Sequence, residues 1–149
     1  MSNSTPRKPG INIMSNTAPI PKAIERLNPD TLFDPTDLGF CSTVVTPAGA
    51  RTVYIAGKLA DDHDADFDSQ VAQSFENLRV ALEAGGASLA SVVKITCLIV
   101  DADSERIGVV SQARRDHFGT NRPTSTIIPV PRLVSENALF EIDAIAIAD

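Results

Sequence analysis

The sequence predicts a single α+β domain whose elements follow in the order β-β-α-β-α-β-β. Three observations predict it: the chain has 149 residues, the usual size of one domain; β-branched segments alternate with segments of helical periodicity; and the C-terminal run "ALFEIDAIAIA" is largely apolar. Two helices can cover only one face of such a sheet, so the other is buried by another subunit or left partly polar. The apolar tail favours burial on both faces, and hence an oligomer.

The first two strands are predicted at residues 41–46, "CSTVVT", and 51–57, "RTVYIAG". The connecting "PAGA" contains a proline and a glycine, which suit a tight connection, so the pair is expected to form a hairpin. The next segment, 58–68, is acidic and polar and is predicted to be a solvated loop. It ends in Asp66 and Asp68, either of which could cap the following helix.

The first helix is predicted from four apolar residues at spacings of four, three and four. A helix places such residues on one face. They are Val71, Phe75, Leu78 and Leu82. Gly85 and Gly86 follow and are expected to end the helix.

A strand and a second helix are predicted next. Residues 91–100, "SVVKITCLIV", are rich in β-branched residues and lie between turn signals, which favours a central strand. The helix is expected to start at Asp103 or Ser104 as its cap and to end at Gly119. Its apolar face is predicted to hold Ile107, Val110, Ala113 and His117 or Phe118.

The last two strands are predicted at residues 124–130 and 138–148. Pro129 has no N–H for the ladder and therefore marks an edge strand or a bulge. In the final strand alternate residues face opposite sides, so Glu141 and Asp143 share one face. A buried carboxylate requires a hydrogen bond or a charged partner, so either function or structure holds these acids there.

The composition argues for an ordinary soluble protein. A net charge of −6 leaves no concentrated basic surface, so no nucleic-acid partner is expected. A hydrophobic fraction of 43% and a mean hydropathy of +0.02 predict no membrane association. The N-terminus lacks a secretory signal, and the two cysteines form no CxxC or Cys/His cluster. We therefore expect a cytoplasmic protein without a metal site.

Residues 1–37 are predicted to be a flexible leader and residues 38–149 a single folded domain. The leader is rich in proline and polar residues. Because "MSN" occurs at Met1 and again at Met14, the first 13 residues are interpreted as an upstream start or a dispensable, disordered tail.

Motifs that carry chemistry are scarce. The sequence has no phosphate-binding glycine loop, no HExxH and no GxSxG. His63 lies in the acidic loop and is interpreted as solvated, and His117 as a charge that complements a helix end. Of the two acids on the last strand, Glu141 is favoured over Asp143 for a functional role.

Three segments resemble the RidA family, also called the YjgF/YER057c/UK114 family, of reactive-intermediate deaminases. They are "AQSFENLRVALEAGGASLASVVKITCLIVD", "HFGTNRPTSTIIPVPRL" and "ALFEIDAIAIA", and the likeness covers residues 38–148. The residues that match the family pattern at fixed spacing are Asn77, Leu78, Gly86, Ala87, Ser88, Leu89, Val92, Val93 and Lys94. The resemblance implies a chorismate-mutase-like α+β fold with two helices on one face of a mixed sheet, and a homotrimer with a ligand cleft at each subunit interface.

The resemblance also implies a reaction. In the family's deaminating members, water hydrolyses an enamine or imine to a 2-oxo acid and ammonia, without a metal or organic cofactor. The family's acid on the last strand, which orients the water, matches Glu141. Its "SGQ" reads "AGK" here, with Gly57 kept and Lys58 in place of the amide, and its tyrosine matches Phe40 or Cys41, depending on one residue of alignment.

The family's substrate-clamping arginine is missing at its usual place. It stands in a "P-x-R-[ST]" setting, where this chain has "P-T-S-T" with Ser125 at the arginine position. The family's helix asparagine matches Ser111. Arg122 and Lys58 are the candidates to replace the lost guanidinium, although a lysine offers a point charge and not a fork. Ser125, Thr126 and backbone N–H groups are expected to bind the substrate.

Three functions remain open at this point. The first is a diverged RidA-like hydrolase for a small imine, enamine or related C–N compound, with Glu141 as general base on water. Cys41 would contact the substrate, and a nucleophilic role for it would require a pKa lowered by a nearby cation. The second is a non-catalytic trimer that binds a small metabolite or a protein, and the third is a structural oligomer with a vestigial cleft. The missing arginine favours the second, and Glu141 favours the first.

Overall fold

The structure contains all the predicted elements and one additional strand before them. It is a computed structural model that describes residues 23–149, so the predicted start or tail at 1–13 lies outside the described residues. The strands are β1 (Glu25–Leu27), β2 (Thr43–Val45), β3 (Arg51–Lys58), β4 (Val92–Val100), β5 (Thr124–Val130) and β6 (Phe140–Ala148). The helices are α1 (Phe67–Ala84) and α2 (Ser104–Phe118), and short 3-10 turns occupy Thr36–Leu38 and Leu89–Ser91.

The main sheet is mixed and has the strand order β3-β6-β4-β5. β4 and β5 are parallel, whereas β6 is antiparallel to both β3 and β4. The two helices pack on one face of this sheet over a core of fully buried side chains. They include Phe75, Leu78, Leu82, Val92, Ile95, Ile99, Phe140 and Ile142. The prediction of two helices on one face of a mixed sheet is confirmed.

Both helices begin at the predicted type of cap. The Asp66 carboxylate accepts a hydrogen bond from the N–H of Ser69 at 2.8 Å, and the Asp103 carboxylate accepts one from the N–H of Arg106 at 2.8 Å. Each bond satisfies a first-turn donor that has no partner within its helix. The face predicted for α1 is confirmed, since its four apolar residues are buried. Among the described helices, none is long and apolar enough to cross a membrane.

The buried face of α2 is rotated by part of a turn from the predicted face. Val110 and Phe118 are buried as expected, but Ile107 is 38% exposed. Arg114 is buried in its place, with only 2% of its surface exposed. It lies four residues from both Val110 and Phe118, which is the spacing that keeps side chains on one face of a helix.

The predicted hairpin between residues 41–46 and 51–57 is wrong. β2 pairs with β1, where Val44 lies opposite Arg26, and β3 pairs with β6. Because β6 is apolar along most of its length, strands on both sides are needed to bury its backbone, and β3 and β4 supply them.

β1 belongs to the segment that the sequence assigns to the leader. Arg26 in this strand donates from Nε to the carbonyl of Arg122 at 2.9 Å and from Nη2 to the carbonyl of Ala90 at 2.9 Å. Residues 23–37, the described part of that segment, therefore contain a strand and hydrogen bonds to the loop before β5. The domain boundary at residue 38 stays a prediction.

Among residues 23–149, no element covers the face of the main sheet opposite the helices. Tyr54 on β3 is 77% exposed and Ile128 on β5 is 42% exposed. Glu141, Ile145 and Ile147 on β6 are partly exposed on the same face. This face, called here the open face, carries both apolar side chains and a carboxylate.

Candidate functional site

The predicted site residues divide between the two faces of the main sheet. Ser125 on β5 aligns with Ile95 of β4, whose side chain is buried beneath the helices. Glu141 lies between the buried Phe140 and Ile142 on β6. Because successive side chains of a strand alternate between faces, Ser125 points to the helices and Glu141 to the open face.

On the helix side, three predicted site residues meet at one guanidinium. Arg114 donates from Nη1 to the Ser125 hydroxyl at 2.9 Å and from Nη2 to the Ser111 hydroxyl at 3.0 Å. Its Cζ lies 5.0 Å from the centroid of the Phe40 ring, within the range of a cation–π contact. These four residues, from α2, β5 and the segment before β2, are called the helix-side cluster.

The charge of Arg114 is buried, and no described residue supplies it with an anionic partner. Within residues 23–149 it forms no ion pair with a carboxylate. Its buried Nε has no hydrogen-bond partner in the part of the chain that the structure describes. Burial lowers the pKa of the guanidinium, and the nearby Cys97 thiol offsets this in part. Since an arginine in a protein stays protonated, the cluster contains a positive charge balanced only by two hydroxyls and an aromatic ring.

Sequence reasoning missed Arg114 as a site residue. Its spacing of four from the apolar Val110 and Phe118 was the available signal, because it places the side chain on the buried face of α2. An arginine at such a position requires hydrogen-bond partners, and Ser111 supplies one from the preceding turn.

Cys41 lies beside the start of β5, and its thiol does not have the environment that a nucleophilic cysteine requires. Its N–H donates to the carbonyl of Pro123 at 2.9 Å, and its thiol donates to the carbonyl of Arg122 at 3.1 Å. Burial raises the pKa of this thiol, and the charge of Arg26 offsets the effect only in part. The lowered pKa that a nucleophilic cysteine requires is therefore not met.

Neither candidate to replace the family's arginine forms a hydrogen bond with Ser125 among the described residues. The Arg122 backbone carbonyl accepts hydrogen bonds from Arg26 and from the Cys41 thiol. Lys58 lies opposite Ile142, whose side chain is buried on the helix side, so Lys58 and Glu141 point away from each other.

On the open face, Glu141 lies directly against Gly57. A Cβ at Gly57 would be 1.8 Å from Glu141 Oε1 and 2.7 Å from its Cδ, so the carboxylate fills the space that any other residue would occupy. The strand register of β3 shifts at this point, between Ile55 and Lys58. Thr126, which follows Ser125 on β5, also points to the open face.

The histidines belong to neither group of site residues. The ring of His117 stacks on Phe75 with centroids 4.4 Å apart, and its Nδ1 lies 2.8 Å from the carbonyl oxygen of Ala113. The backbone carbonyl of His63 accepts a hydrogen bond from Gln70 at 3.0 Å. No group of three or more potential metal-ligating side chains occurs in the part of the chain that the structure describes.

Known proteins of similar sequence cover most of the chain. A sequence model of the family described as Endoribonuclease L-PSP matches residues 39–148. A RutC family protein of Pyrococcus horikoshii is 31% identical over 100 residues, which is 63% of this chain and 77% of that protein. A RutC family protein of Pyrococcus abyssi is 29% identical over 100 residues and 76% of its length.

Solved structures show the same architecture. A protein of unknown function of the conserved Rid family from Yersinia pestis gives a TM-score of 0.76 at 26% identity, over 83% of this chain and 98% of that one. A member of the YjgF/YER057c/UK114 family from Mycobacterium tuberculosis gives a TM-score of 0.60 at 24% identity, over 85% and 100%. The expected RidA-like fold is confirmed.

Proposed function

The chain belongs to the RidA (YjgF/YER057c/UK114) family, and we propose that it hydrolyses a small imine, enamine or related C–N compound with water as the nucleophile. One observation carries the proposal: the Glu141 carboxylate lies on the open face in the space where a Cβ at Gly57 would lie, 1.8 Å from its Oε1. The carboxylate is thus held against strand β3, at the position that matches the family's water-orienting acid.

In the proposed reaction Glu141 is the general base. It accepts a proton from water as the water oxygen bonds to the imine carbon, and the electron pair of the C=N bond moves to nitrogen, which takes a proton from solvent. An enamine would first take a proton at carbon to become the imine. Protonated Glu141 then gives its proton to the nitrogen of the tetrahedral intermediate, ammonia leaves as the C–N bond breaks, and the hydroxyl loses its proton to solvent as the C=O bond forms. One water is consumed, and Glu141 returns to its starting state.

We propose a homotrimer with the reaction cleft at the subunit interfaces. The support is that the open face carries apolar side chains, Tyr54 and Ile128 among them, which residues 23–149 of one subunit leave exposed. Ser125 and Glu141 also point to opposite faces of one sheet. Within one subunit the two side chains therefore cannot contact the same ligand from one face. The proposed enzyme is cytoplasmic and requires no metal or organic cofactor.

A nuclease activity is not part of the proposal, although the family's description names one. With a net charge of −6, the chain lacks the excess of basic residues that binding a phosphate backbone requires.

The second candidate function is a non-catalytic trimer that binds a small metabolite or a protein. The observation that favours it is Ser125, which stands where the family's clamping arginine is expected and offers a hydroxyl in place of a fork.

The test is ammonia release from freshly generated 2-aminoacrylate and 2-iminobutyrate. The wild-type protein and a Glu136→Gln variant, which changes an exposed acid in the loop before β6, should accelerate release above the spontaneous rate. Glu141→Gln should lose about 10²- to 10⁴-fold of that rate, the usual contribution of a general base.

Three other outcomes would contradict the proposed mechanism or favour a different function. Full activity of Glu141→Gln would contradict the proposed mechanism. Ligand binding without turnover in any variant would support the second candidate. If no ligand raises the melting temperature of any variant, the cleft is vestigial.

A further inference from the structure

The ladder between β3 and β6 is interrupted at the point where Gly57 meets Glu141. Ile55 and Lys58 on β3 have partners on β6 that are only two positions apart, so two residues of β3 lie opposite one residue of β6. Such a bulge leaves a residue unpaired and disrupts the ladder locally. The regular hydrogen bonds of the sheet therefore do not fix the contact between Glu141 and Gly57, and another group is needed to hold the two strands there.

Two loops meet beside this bulge. Residues 59–66 are called the loop after β3, and residues 131–139 are called the loop before β6. Because β3 and β6 are antiparallel, the end of one strand and the start of the other lie at the same end of the sheet. The first loop therefore follows closely on Gly57, and the second leads directly to Glu141.

One buried amide joins the two loops. Gln70 on α1 is 0% exposed. Its Nε2 donates to the carbonyls of His63 and Ala65 in the loop after β3, at 3.0 Å each. In the loop before β6, its Nε2 donates to the carbonyl of Asn137 at 3.2 Å and its Oε1 accepts from the N–H of Leu139 at 2.8 Å. Both ends of the amide are bonded, as a buried polar group requires, and one side chain binds the backbone of both loops.

Other polar side chains of α1 reach only one of these loops. Gln73 accepts from the N–H of Asp62 at 3.1 Å, and Asn77 donates to the carbonyl of Leu59 at 2.8 Å. Both partners belong to the loop after β3. Among the hydrogen bonds of residues 23–149, Gln70 is thus the α1 side chain that links the two loops.

We propose that Gln70 is a positioning residue for Glu141. Leu139, which it holds through Oε1, lies two positions before Glu141, and the carbonyls that it holds in the loop after β3 follow Gly57 in the chain. The amide fixes the separation of the two strands at the bulge and so keeps the Glu141 carboxylate in the space that a Cβ at Gly57 would fill. The inference rests on the proposed function only for its effect on turnover.

Gln70→Met removes these hydrogen bonds and keeps the length of the side chain. In amide hydrogen exchange of the full chain, followed by NMR, the N–H of Leu139 should exchange about 10-fold faster than in the wild-type protein, because it loses its acceptor. The kcat for ammonia release from 2-iminobutyrate should fall by about 10- to 100-fold, since a misplacement of about 1 Å can cost 10²-fold. KM should stay close to the wild-type value, because Gln70 is buried and contacts no substrate.

A double variant separates positioning from a general loss of structure. If Gln70 acts through the Glu141 carboxylate, Gln70→Met/Glu141→Gln should be no slower than Glu141→Gln alone. If Gln70→Met only lowered the folded fraction, it would slow Glu141→Gln by the same factor as it slows the wild-type protein. That second result would overturn the inference.

Gln73→Met is the matched control. The same substitution three positions along α1 removes a hydrogen bond to the loop after β3 and leaves the link between the loops intact. This variant should keep the wild-type kcat and the wild-type exchange rate at Leu139. A loss of kcat as large as that of Gln70→Met would show that any disturbance of this helix slows the reaction, and the inference would fall.

A second variant keeps the inference testable if Gln70→Met does not fold. Asn137 is exposed, donates to the Asp64 carboxylate at 3.1 Å and has a φ of 61°, which glycine adopts readily. Asn137→Gly removes this outer bond between the same two loops, so it should speed exchange at Leu139 and lower kcat by about 2- to 10-fold. The inference is overturned if a folded Gln70→Met, judged by circular dichroism, keeps the wild-type kcat. Without a folded Gln70→Met, it is overturned if Asn137→Gly changes neither quantity.

Failure of this inference is distinguishable from failure of the proposed function. If exchange at Leu139 depends on Gln70 but the wild-type protein releases no ammonia, the link between the loops stands and the hydrolytic function falls. If ammonia release depends on Glu141 while a folded Gln70→Met keeps the wild-type kcat, the reverse holds.

Discussion

Replacing Gly57 by alanine is expected to displace the Glu141 carboxylate without unfolding the protein. The new Cβ would lie 1.8 Å from Oε1, 2.7 Å from Cδ and 3.1 Å from Cγ of Glu141. Because ordinary contact begins near 3.4 Å, the oxygen has to move by about 1.6 Å. The obstacle is the far end of a flexible side chain, so the carboxylate moves and the strands stay paired.

The cost in stability should be small. A side chain forced from its preferred rotamer costs about 0.5 to 1.5 kcal/mol. Replacing glycine by alanine recovers about 0.4 to 1 kcal/mol by restricting the unfolded chain. Gly57 has no positive φ, so alanine is compatible with its backbone. We expect the free energy of unfolding to change by less than about 1 kcal/mol, as measured by urea denaturation.

The cost in activity should be large. A misplacement of about 1 Å can reduce turnover 10²-fold, so kcat for ammonia release from 2-iminobutyrate should fall by about 100-fold. Gly108→Ala is the matched control, since a Cβ there meets no atom within 4 Å. The Gly57→Ala/Glu141→Gln double variant should be no slower than Glu141→Gln alone, because both changes act on one carboxylate.

Two results would refute this reasoning. One is a folded Gly57→Ala protein with wild-type kcat, which would mean that the position of the Glu141 carboxylate does not matter. The other is a further loss of rate when Gly57→Ala is added to Glu141→Gln, which would mean that the glycine acts by another route.

Three further predictions concern the surroundings of the site. Arg26→Ala should lower the free energy of unfolding by about 1 to 3 kcal/mol, because it removes hydrogen bonds to backbone carbonyls that include that of Arg122; an unchanged urea midpoint would contradict it. Hydrogen bonding to the α1 backbone lowers the pKa of Asp66 in the folded protein. The Asp66 cap therefore stabilises the fold at any pH above the pKa of Asp66 in the unfolded chain, and this stabilisation is lost as the pH falls through its pKa in the folded protein. The stability difference between wild type and Asp66→Ala should therefore shrink in acid, and a series of melting curves that shows it growing would be evidence against the cap. Burial raises the pKa of the Cys41 thiol, and it raises the pKa of the Cys97 thiol to about 12. Near neutral pH both thiols should therefore react with Ellman's reagent only when the protein unfolds. Prompt labelling of Cys41 in the native protein would contradict its described burial.

The elements that the sequence predicts well are those defined by local chemistry. Asp66 and Asp103 cap helices through their own side chains, and the apolar face of α1 repeats within a few turns. Strand β4 is a run of β-branched residues between two turn signals. Such features depend on residues within a few positions of each other, so they can be read without knowing the fold.

The pairing of β2 depends on distant residues and could not be read in that way. Strands that are neighbours in sequence usually pair, and "PAGA" suits a turn, so the sequence predicts a hairpin with β3. The actual partner of β3 is β6, about ninety residues away. β3 pairs with β6 and not with β2 because the apolar side chains of β6 are buried only when this strand lies at the centre of the sheet.

Arg114 shows why the comparison of single positions is incomplete. The strand position matched to the family's arginine holds Ser125, which by itself indicates that a guanidinium has been lost. The structure places a guanidinium beside that serine, at 2.9 Å, from helix α2. A charge can be supplied by any element that packs against a site, and arginine is rarely expected in a buried position. Matching residues along a strand therefore reveals the substitution at Ser125 but not the arginine eleven positions earlier, and only packing of α2 on β5 brings the two together.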